Sequence, residues 1–458
     1  MVFSSTVFLF FFLPLVLCLY YNPLFKGRKF RNCLLLAASL FFYAWGEPAF
    51  VFLLMLSVCV GWFVGRHLQG KRRKVWLALG VAFHVGLLFV FKYLTFLLGE
   101  LGLLHGPLQG FALTLPIGIS FFTFQLLSYL FDVYYGKAEA QKNLLSVALY
   151  VALFPQLIAG PIVRYEAIAA EIYGRRENLD DFTEGMLRFI HGLAKKVLIA
   201  NYMGQLADTI FAMEEMSTGT AWLGAVAYTL QIYFDFSGYS DMAIGLGRMF
   251  GFHFAENFNY PYISRSATEF WRRWHISLGS WFRDYVYIPL GGNRCSKFRW
   301  VLNLFAVWAL TGIWHGANYT FLVWGLFYFV LLMMEKFTRL PERLGRLSHI
   351  YALIAIMVGW VMFRSKDLGA GLHYLAVMFG FSGIGLTDDF FYMYLEETYV
   401  LVSLAIILSL PVLPWLKEKA WAGQAVTAIE PVAAFGIFLL TLAVTVSASY
   451  NPFIYFNF

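Results

Sequence analysis

Two histidines are framed in ways that point to proton chemistry. His315 stands in Thr311-Gly-Ile-Trp-His-Gly-Ala-Asn318, a break between two apolar runs with glycine on both sides of Trp314-His315. Gly312 and Gly316 permit close backbone approach, and imidazole is the side chain best matched to proton transfer near neutral pH. The competing reading is a buried interhelical hydrogen bond. His275 lies in Glu269-Phe-Trp-Arg-Arg-Trp-His-Ile-Ser-Leu-Gly-Ser-Trp-Phe-Arg-Asp-Tyr285. At about 100° per residue, Trp271, Trp274, His275, Leu278, Trp281, Phe282 and Tyr285 share one arc of about 120°. Arg272, Arg273, Ser277, Ser280, Arg283 and Asp284 take the remainder. The spacing predicts one amphipathic helix, too polar to cross lipid alone, which lies at an interface or re-enters a protein-lined cavity. At the edge of its arc, His275 either packs as a capped core residue or lines a pocket.

Acids enter an apolar run at Asp235 and Asp241, within Gln231 to Gly247. A carboxylate in hydrocarbon is costly, so each must face a cavity or a partner. The favoured reading is that both, with Ser237 and Ser240, bind neighbouring helices or interfacial backbone. Gly245-Leu-Gly247-Arg-Met-Phe-Gly251 is no dinucleotide fingerprint, since no strand precedes it and its spacing is wrong. His67, His84, His105, His191, His253, His349 and His373 lack comparable framing and read as structural. Cys18, Cys33, Cys59 and Cys295 are too scattered for a paired motif and read as packing residues, and no metal site is expected.

The elements that position these residues must be membrane spans. Of 458 residues, 60% are apolar and 13% charged, against roughly a quarter charged in an ordinary soluble domain. That excludes a disordered or nucleic-acid-binding chain, and leaves too few polar residues to clothe several cores in water. Aromatics reach 20%, with 49 Phe, 27 Tyr and 14 Trp, suiting membrane interfaces and apolar cavities. The formal charge of +7 reads as a record of topology. The first apolar run, Phe8 to Leu19, has no basic residue before it and Lys26, Arg28, Lys29 and Arg31 after it. This is the reverse of a cleavable signal peptide and predicts a retained span.

Further spans are predicted at 32–46, 48–65, 75–98, 115–135, 143–160, 186–212, 219–250, 300–314, 318–334, 350–363, 398–415 and 432–449, or about 11–13 in all. Arg66 to Lys74 holds five basic residues, whereas Glu47-Pro48 and Glu100 to Phe111 hold no Lys or Arg. The alternation predicts the N-terminus outside, with the loops near residues 28 and 70 in the cytoplasm. Arg164–Glu184 and Glu335–Arg346 are the clearest polar connections, the second expected to be cytoplasmic. The chain therefore reads as an all-α multi-pass protein with re-entrant or interfacial helices. A single membrane domain over 1–458 comprises N-terminal spans (1–115), a motif-rich core (116–335) and C-terminal spans (336–458).

Together these pieces resemble the membrane-bound O-acyltransferase family, in its bacterial alginate O-acetyltransferase branch. The resemblance rests on Pro116-Ile-Gly-Ile-Ser-Phe-Phe-Thr-Phe-Gln125, Ala159-Gly-Pro-Ile-Val-Arg-Tyr165, Phe234-Asp-Phe-Ser-Gly-Tyr-Ser-Asp-Met-Ala243 and Glu256-Asn-Phe-Asn-Tyr-Pro-Tyr262. It continues through Glu269 to Tyr285, Ile288-Pro-Leu-Gly-Gly-Asn-Arg294 and Trp314-His-Gly-Ala-Asn318, with an aromatic tail at Asn451 to Phe458. The region 366–430 matches less clearly. The resemblance implies a catalytic role for His315 and a second polar position in the site for His275. It also implies a tunnel, for which Trp274, Trp314, Asn318, Arg283 and Asp241 are candidate lining residues.

What the resemblance implies about function is transfer of an acetyl group from cytosolic acetyl-CoA to a hydroxyl acceptor, for O-acetylation of a cell-surface or exported polysaccharide. It implies a bacterial cytoplasmic-membrane location and an extracytoplasmic acetyltransferase or acetylesterase-like partner. Acetyl-CoA enters as a substrate, with no tightly bound cofactor. A thioester on a large anionic carrier cannot cross lipid, so donor and acceptor must meet inside a protein-lined central tunnel. D-alanyl transfer to teichoic acid from a carrier protein is one alternative, and a transporter or flippase is another. A covalent acyl-enzyme is disfavoured, since no Cys or Ser occupies an obvious activated motif beside these histidines.

Overall fold

The computed structural model of the chain describes residues 1–104, 109–381, 383–419, 421–448 and 450–454; His105 and the end of the aromatic tail lie outside the described residues. Among the described residues every regular element is helical and there is no strand. Six helical segments among the described residues are long and apolar enough to cross a membrane: Phe50–His67, Arg73–Glu100, Tyr319–Thr338, Leu340–Arg364, Asp389–Leu408 and Gly423–Ser447. The chain is an all-α multi-pass membrane protein. Other expected spans are present as shorter or more polar helices, including Arg28–Gly46, Ile119–Tyr134 and Thr218–Met249.

Several boundaries differ from the sequence expectation: helices occupy Tyr165–Gly174 and Leu179–Ala194 within and beyond the expected polar connection, the last span begins at Gly423, and two further differences have local reasons. The stretch 143–160 holds a helix at Leu144–Ala152 and a separate turn at Phe154–Leu157, because Pro155 supplies no N–H to continue the ladder. The span expected at 398–415 runs instead over Asp389–Leu408. Asp388 starts it, accepting from the Phe391 N–H at 2.7 Å, and exposed Glu396 and Glu397 ride on its surface.

Contacts divide the chain into two units, Met1–Phe189 with Tyr239–Ala255, and Ile190–Gly238 with Glu256–Phe458. In the first unit, Phe8, Phe12, Phe42 and Phe154 form a buried ring cluster, with Phe12 and Phe154 perpendicular at 5.4 Å. Such edge contacts contribute about 0.5–1.5 kcal/mol each beyond area burial. Glu177 gathers two of the early basic residues, pairing with Arg28 at 2.5 Å and Arg31 at 2.9 Å at the start of Arg28–Gly46, while Tyr20 donates to it at 2.5 Å. Burial acts to raise the Glu177 carboxyl, but the hydrogen bonds from Arg28 and Tyr20 outweigh it and hold its pKa at about 2.

In the second unit, the helices Lys297–His315 and Tyr319–Thr338 form an antiparallel hairpin. Glycine sets its closeness: a Cβ on Gly312 would stand 2.5 Å from Phe321 O, and one on Gly325 would stand 2.5 Å from Trp308 O. Only a residue without a side chain lets the two backbones meet there. Asn318 then starts the returning helix, accepting from the Thr320 N–H at 3.0 Å, and its amide donates to Lys366 O at 2.8 Å.

The two acids of the apolar run are paired within their units. Lys196 Nζ lies 2.7 Å from Asp235 Oδ1 with both side chains buried. The other Asp235 oxygen accepts from the Ile454 N–H at 2.8 Å. Asp241 pairs with Arg188 at 2.9 Å in the first unit. Both therefore act as interhelical anchors, the favoured reading of their sequence context.

Candidate active site

The amphipathic stretch around His275 is not one helix. It runs as Ala267–Arg273, Ile276–Phe282 and a π-helical turn at Arg283–Tyr287. Ser266 and Glu269 begin it as a capping pair, with Ser266 Oγ accepting from the Glu269 N–H at 2.9 Å and Glu269 accepting from the Arg265 N–H at 3.0 Å. Glu335 accepts from the Ala267 and Thr268 N–H groups at 2.6 and 3.0 Å and from the Thr268 hydroxyl at 2.6 Å. The break falls at Trp274-His275 because an extended segment captures the backbone there. Asn259 N–H donates to Arg273 O at 2.9 Å, and Ile276 N–H donates to Asn257 O at 3.0 Å. His275 takes a left-handed conformation with φ 44° and ψ 54°, an unfavourable state for a residue with a Cβ that only surrounding contacts sustain.

The break turns His275 inward. It is 2% exposed, its ring edge-on to Phe236 at 4.7 Å, and its Nδ1 lies 3.0 Å from Asn257 Oδ1. His315, at the last position of its helix, is 6% exposed. Its ring meets Trp314 at 4.8 Å, Trp324 at 5.0 Å and Phe363 at 5.0 Å. Trp314 links the pair, since its ring lies 6.3 Å from that of His275. The structure thus gathers the two sequence-singled histidines into one aromatic layer of the second unit. Trp274 belongs to this layer, packed on Phe270 and Trp360 at 5.5 and 4.8 Å.

A cavity of about 1120 Å³ opens beside the layer. Phe321 and Phe363, which contact His315, are among its walls, together with Asn318, Arg364 and Tyr228. Its polar side is organised by Arg364, whose guanidinium lies over the rings of Phe211 and Tyr228 at 4.6 and 4.7 Å and pairs with Asp208 at 2.5 Å. Tyr450 also donates to Asp208. Of the expected lining residues, Asn318 is at the wall. Arg283 is not part of this arrangement: its side chain is 61% exposed and pairs with Asp284. Asp241 lies in the first unit, paired with Arg188.

Asn257, Arg364 and His373 escaped the sequence reading as site residues. His373 read as structural, yet it lines the cavity. Asn257 sits within Glu256-Asn-Phe-Asn-Tyr-Pro-Tyr262, where an asparagine-rich, proline-ended run between helices was the available signal.

The arrangement sets two nearly dry imidazoles in one aromatic layer, with His315 behind two wall residues of the neighbouring cavity, and imidazole is a side chain that can take and give a proton. Comparison with known proteins identifies the family. Residues 140–363 match the model of MBOAT, the membrane-bound O-acyltransferase family. The chain is 46% identical to a probable alginate O-acetylase of Azotobacter vinelandii, over 85% of this chain and 80% of that one. It is 47% identical to the corresponding protein of Pseudomonas aeruginosa, over 85% and 76%. A peptidoglycan O-acetyltransferase of Helicobacter pylori is 32% identical over 100% of this chain and 98% of its own. With a multi-pass helical fold and the histidine layer within the matched region, the chain belongs to the membrane-bound O-acyltransferase family and is an O-acyltransferase.

Proposed function

We propose that the chain transfers an acetyl group from cytosolic acetyl-CoA to a hydroxyl acceptor on the far side of the bacterial cytoplasmic membrane. The product is an O-acetylated cell-surface or exported polysaccharide, reached through an extracytoplasmic acetyltransferase or acetylesterase-like partner. The names of the relatives support acetyl as the group and polysaccharide as the acceptor class.

The observation that carries this reading is the placement of His315 against two walls of the cavity, Phe321 and Phe363. Lys336 lies in the last turn of Tyr319–Thr338, and Arg339, Arg343 and Arg346 follow it. The chain returns through Ser348–Arg364, so that Asn318 and Lys366 meet at the other end. The positive-inside rule assigns the basic end to the cytoplasm, and the cavity then faces the compartment of an exported acceptor. The same rule sets the N-terminus outside.

In this mechanism His315 takes the proton of the acceptor hydroxyl as its oxygen attacks the thioester carbonyl. A C–O bond forms, the C–S bond breaks, and the thiolate recovers the proton from the imidazolium. General-base help of this kind supplies about 10²- to 10⁴-fold, with the remainder from orientation and exclusion of water along a protein-lined tunnel that admits the donor from inside.

The test uses membranes supplied with acetyl-labelled acetyl-CoA, comparing wild type with His315→Ala and following label into protein and glycan fractions. Label reaching glycan or a partner only with the wild type supports the reading. Unchanged transfer by a normally inserted variant, or no donor consumption by the wild type, overturns it.

A further inference from the structure

The hydrogen bonds around Asn257 settle a question of proton placement. Its Oδ1 lies 3.3 Å from the backbone N of Ser277, 2.9 Å from Ser277 Oγ and 3.0 Å from His275 Nδ1. The backbone N–H can only donate, so the atom facing it is the amide oxygen and not the amide nitrogen. That oxygen can only accept, and it is nearer to His275 Nδ1 than is Ser277 Oγ, at 3.4 Å, whose own hydrogen goes to Asn257, so His275 Nδ1 carries a hydrogen. A neutral imidazole protonated at Nδ1 has its lone pair at Nε2, and His275 Nε2 is buried with no protein partner. The left-handed backbone of His275 and the backbone bonds from Asn257 and Asn259 hold the ring in this setting.

We infer that Asn257 is a positioning residue that locks His275 as the Nδ1–H tautomer, so that Nε2 presents a hydrogen-bond acceptor to an O–H or N–H of the substrate. In this role His275 does not donate to a developing oxyanion. It receives an O–H or N–H of a substrate other than the hydroxyl proton that His315 takes. That division of roles rests on the acetyl-transfer reading above, whereas the tautomer does not.

The primary measurement is the nitrogen spectrum of histidine-labelled full-length protein in detergent, with the His275 signals identified by their loss in His275→Gln. The expected result is a protonated Nδ1 and a bare Nε2 in the wild type. A wild-type spectrum with the proton on Nε2 overturns the inference. Kinetically, Asn257→Leu, similar in volume but with no acceptor atom, is expected to lower kcat about 10- to 100-fold, as misplacement of a reacting group does. The KM for acetyl-CoA should stay within about twofold. Asn257→Asp, which restores an acceptor oxygen, should recover part of the loss. Full activity in a normally inserted Asn257→Leu variant also overturns the inference. Should the wild type fail to consume acetyl-CoA, the proposed function falls, and the spectrum still decides the tautomer.

Discussion

Lys196 and Asp235 form an ion pair of 2.7 Å in which neither side chain reaches solvent to more than 5%, and Asp235 also binds the backbone of Ile454. The pair joins the π-helical stretch Lys195–Ala200 to the long helix Thr218–Met249. Removing one partner leaves the other buried and uncompensated, at about 3–5 kcal/mol. Lys196→Met and Asp235→Leu are therefore each expected to lower the unfolding temperature of purified protein sharply. The double variant should lose less than the sum, since no lone charge remains. Equal and additive losses in thermal scans would argue that the two residues act separately.

His315→Gln tests catalysis with less disturbance of packing than the alanine variant. The expected outcome is a kcat lowered by about 10²- to 10⁴-fold. The KM for acetyl-CoA should be little changed, because the lost interaction belongs to the transition state. A raised KM at unchanged kcat would reassign His315 to binding.

Gly312 provides a packing test that reaches the site indirectly. An added Cβ would press on the Phe321 carbonyl at 2.5 Å, and forcing such a contact costs about 1–3 kcal/mol. Gly312→Ala should lower thermal stability by that order and reduce transfer as well, since His315 is one helical turn away and Phe321 is among its neighbours. Gly436→Ala, where a Cβ meets open space, is the matched control and should leave both unchanged.

Glu177 gives a pH dependence with a defined sign. Its pKa falls from 4.5 to about 2 on folding, so its contribution to stability is present at neutral pH and is lost as pH falls between those values. Glu177→Gln should be less stable than wild type at pH 7. The gap in unfolding temperature should narrow as the pH is lowered from about 5 toward about 3. A gap that is constant across this range would assign the effect to packing.

Much of the site was legible because the signals were local. Glycines around Trp314-His315 announce a close approach, and acids in an apolar run must be paired, as Asp235 and Asp241 are. The break at Trp274-His275 was not legible. A helical projection registers only period, whereas the break is made by backbone groups of Asn257 and Asn259 that arrive from an earlier connection. The cavity wall was hidden for a related reason, because Asp208, Arg364 and His373 come from separate helices and ordinary local sequence.

Glu335 lies near the far end of the helix whose start neighbours His315, and it holds the first residues of the segment leading to His275 through Ala267 and Thr268. Tyr351 donates to the same carboxylate at 3.2 Å. One rod of about 30 Å, by helix rise over 20 residues, therefore spans from one imidazole to the foundation of the other. The strut ties the turn beside one ring to the start of the segment that carries the other, and a disturbance at its foot is transmitted toward both.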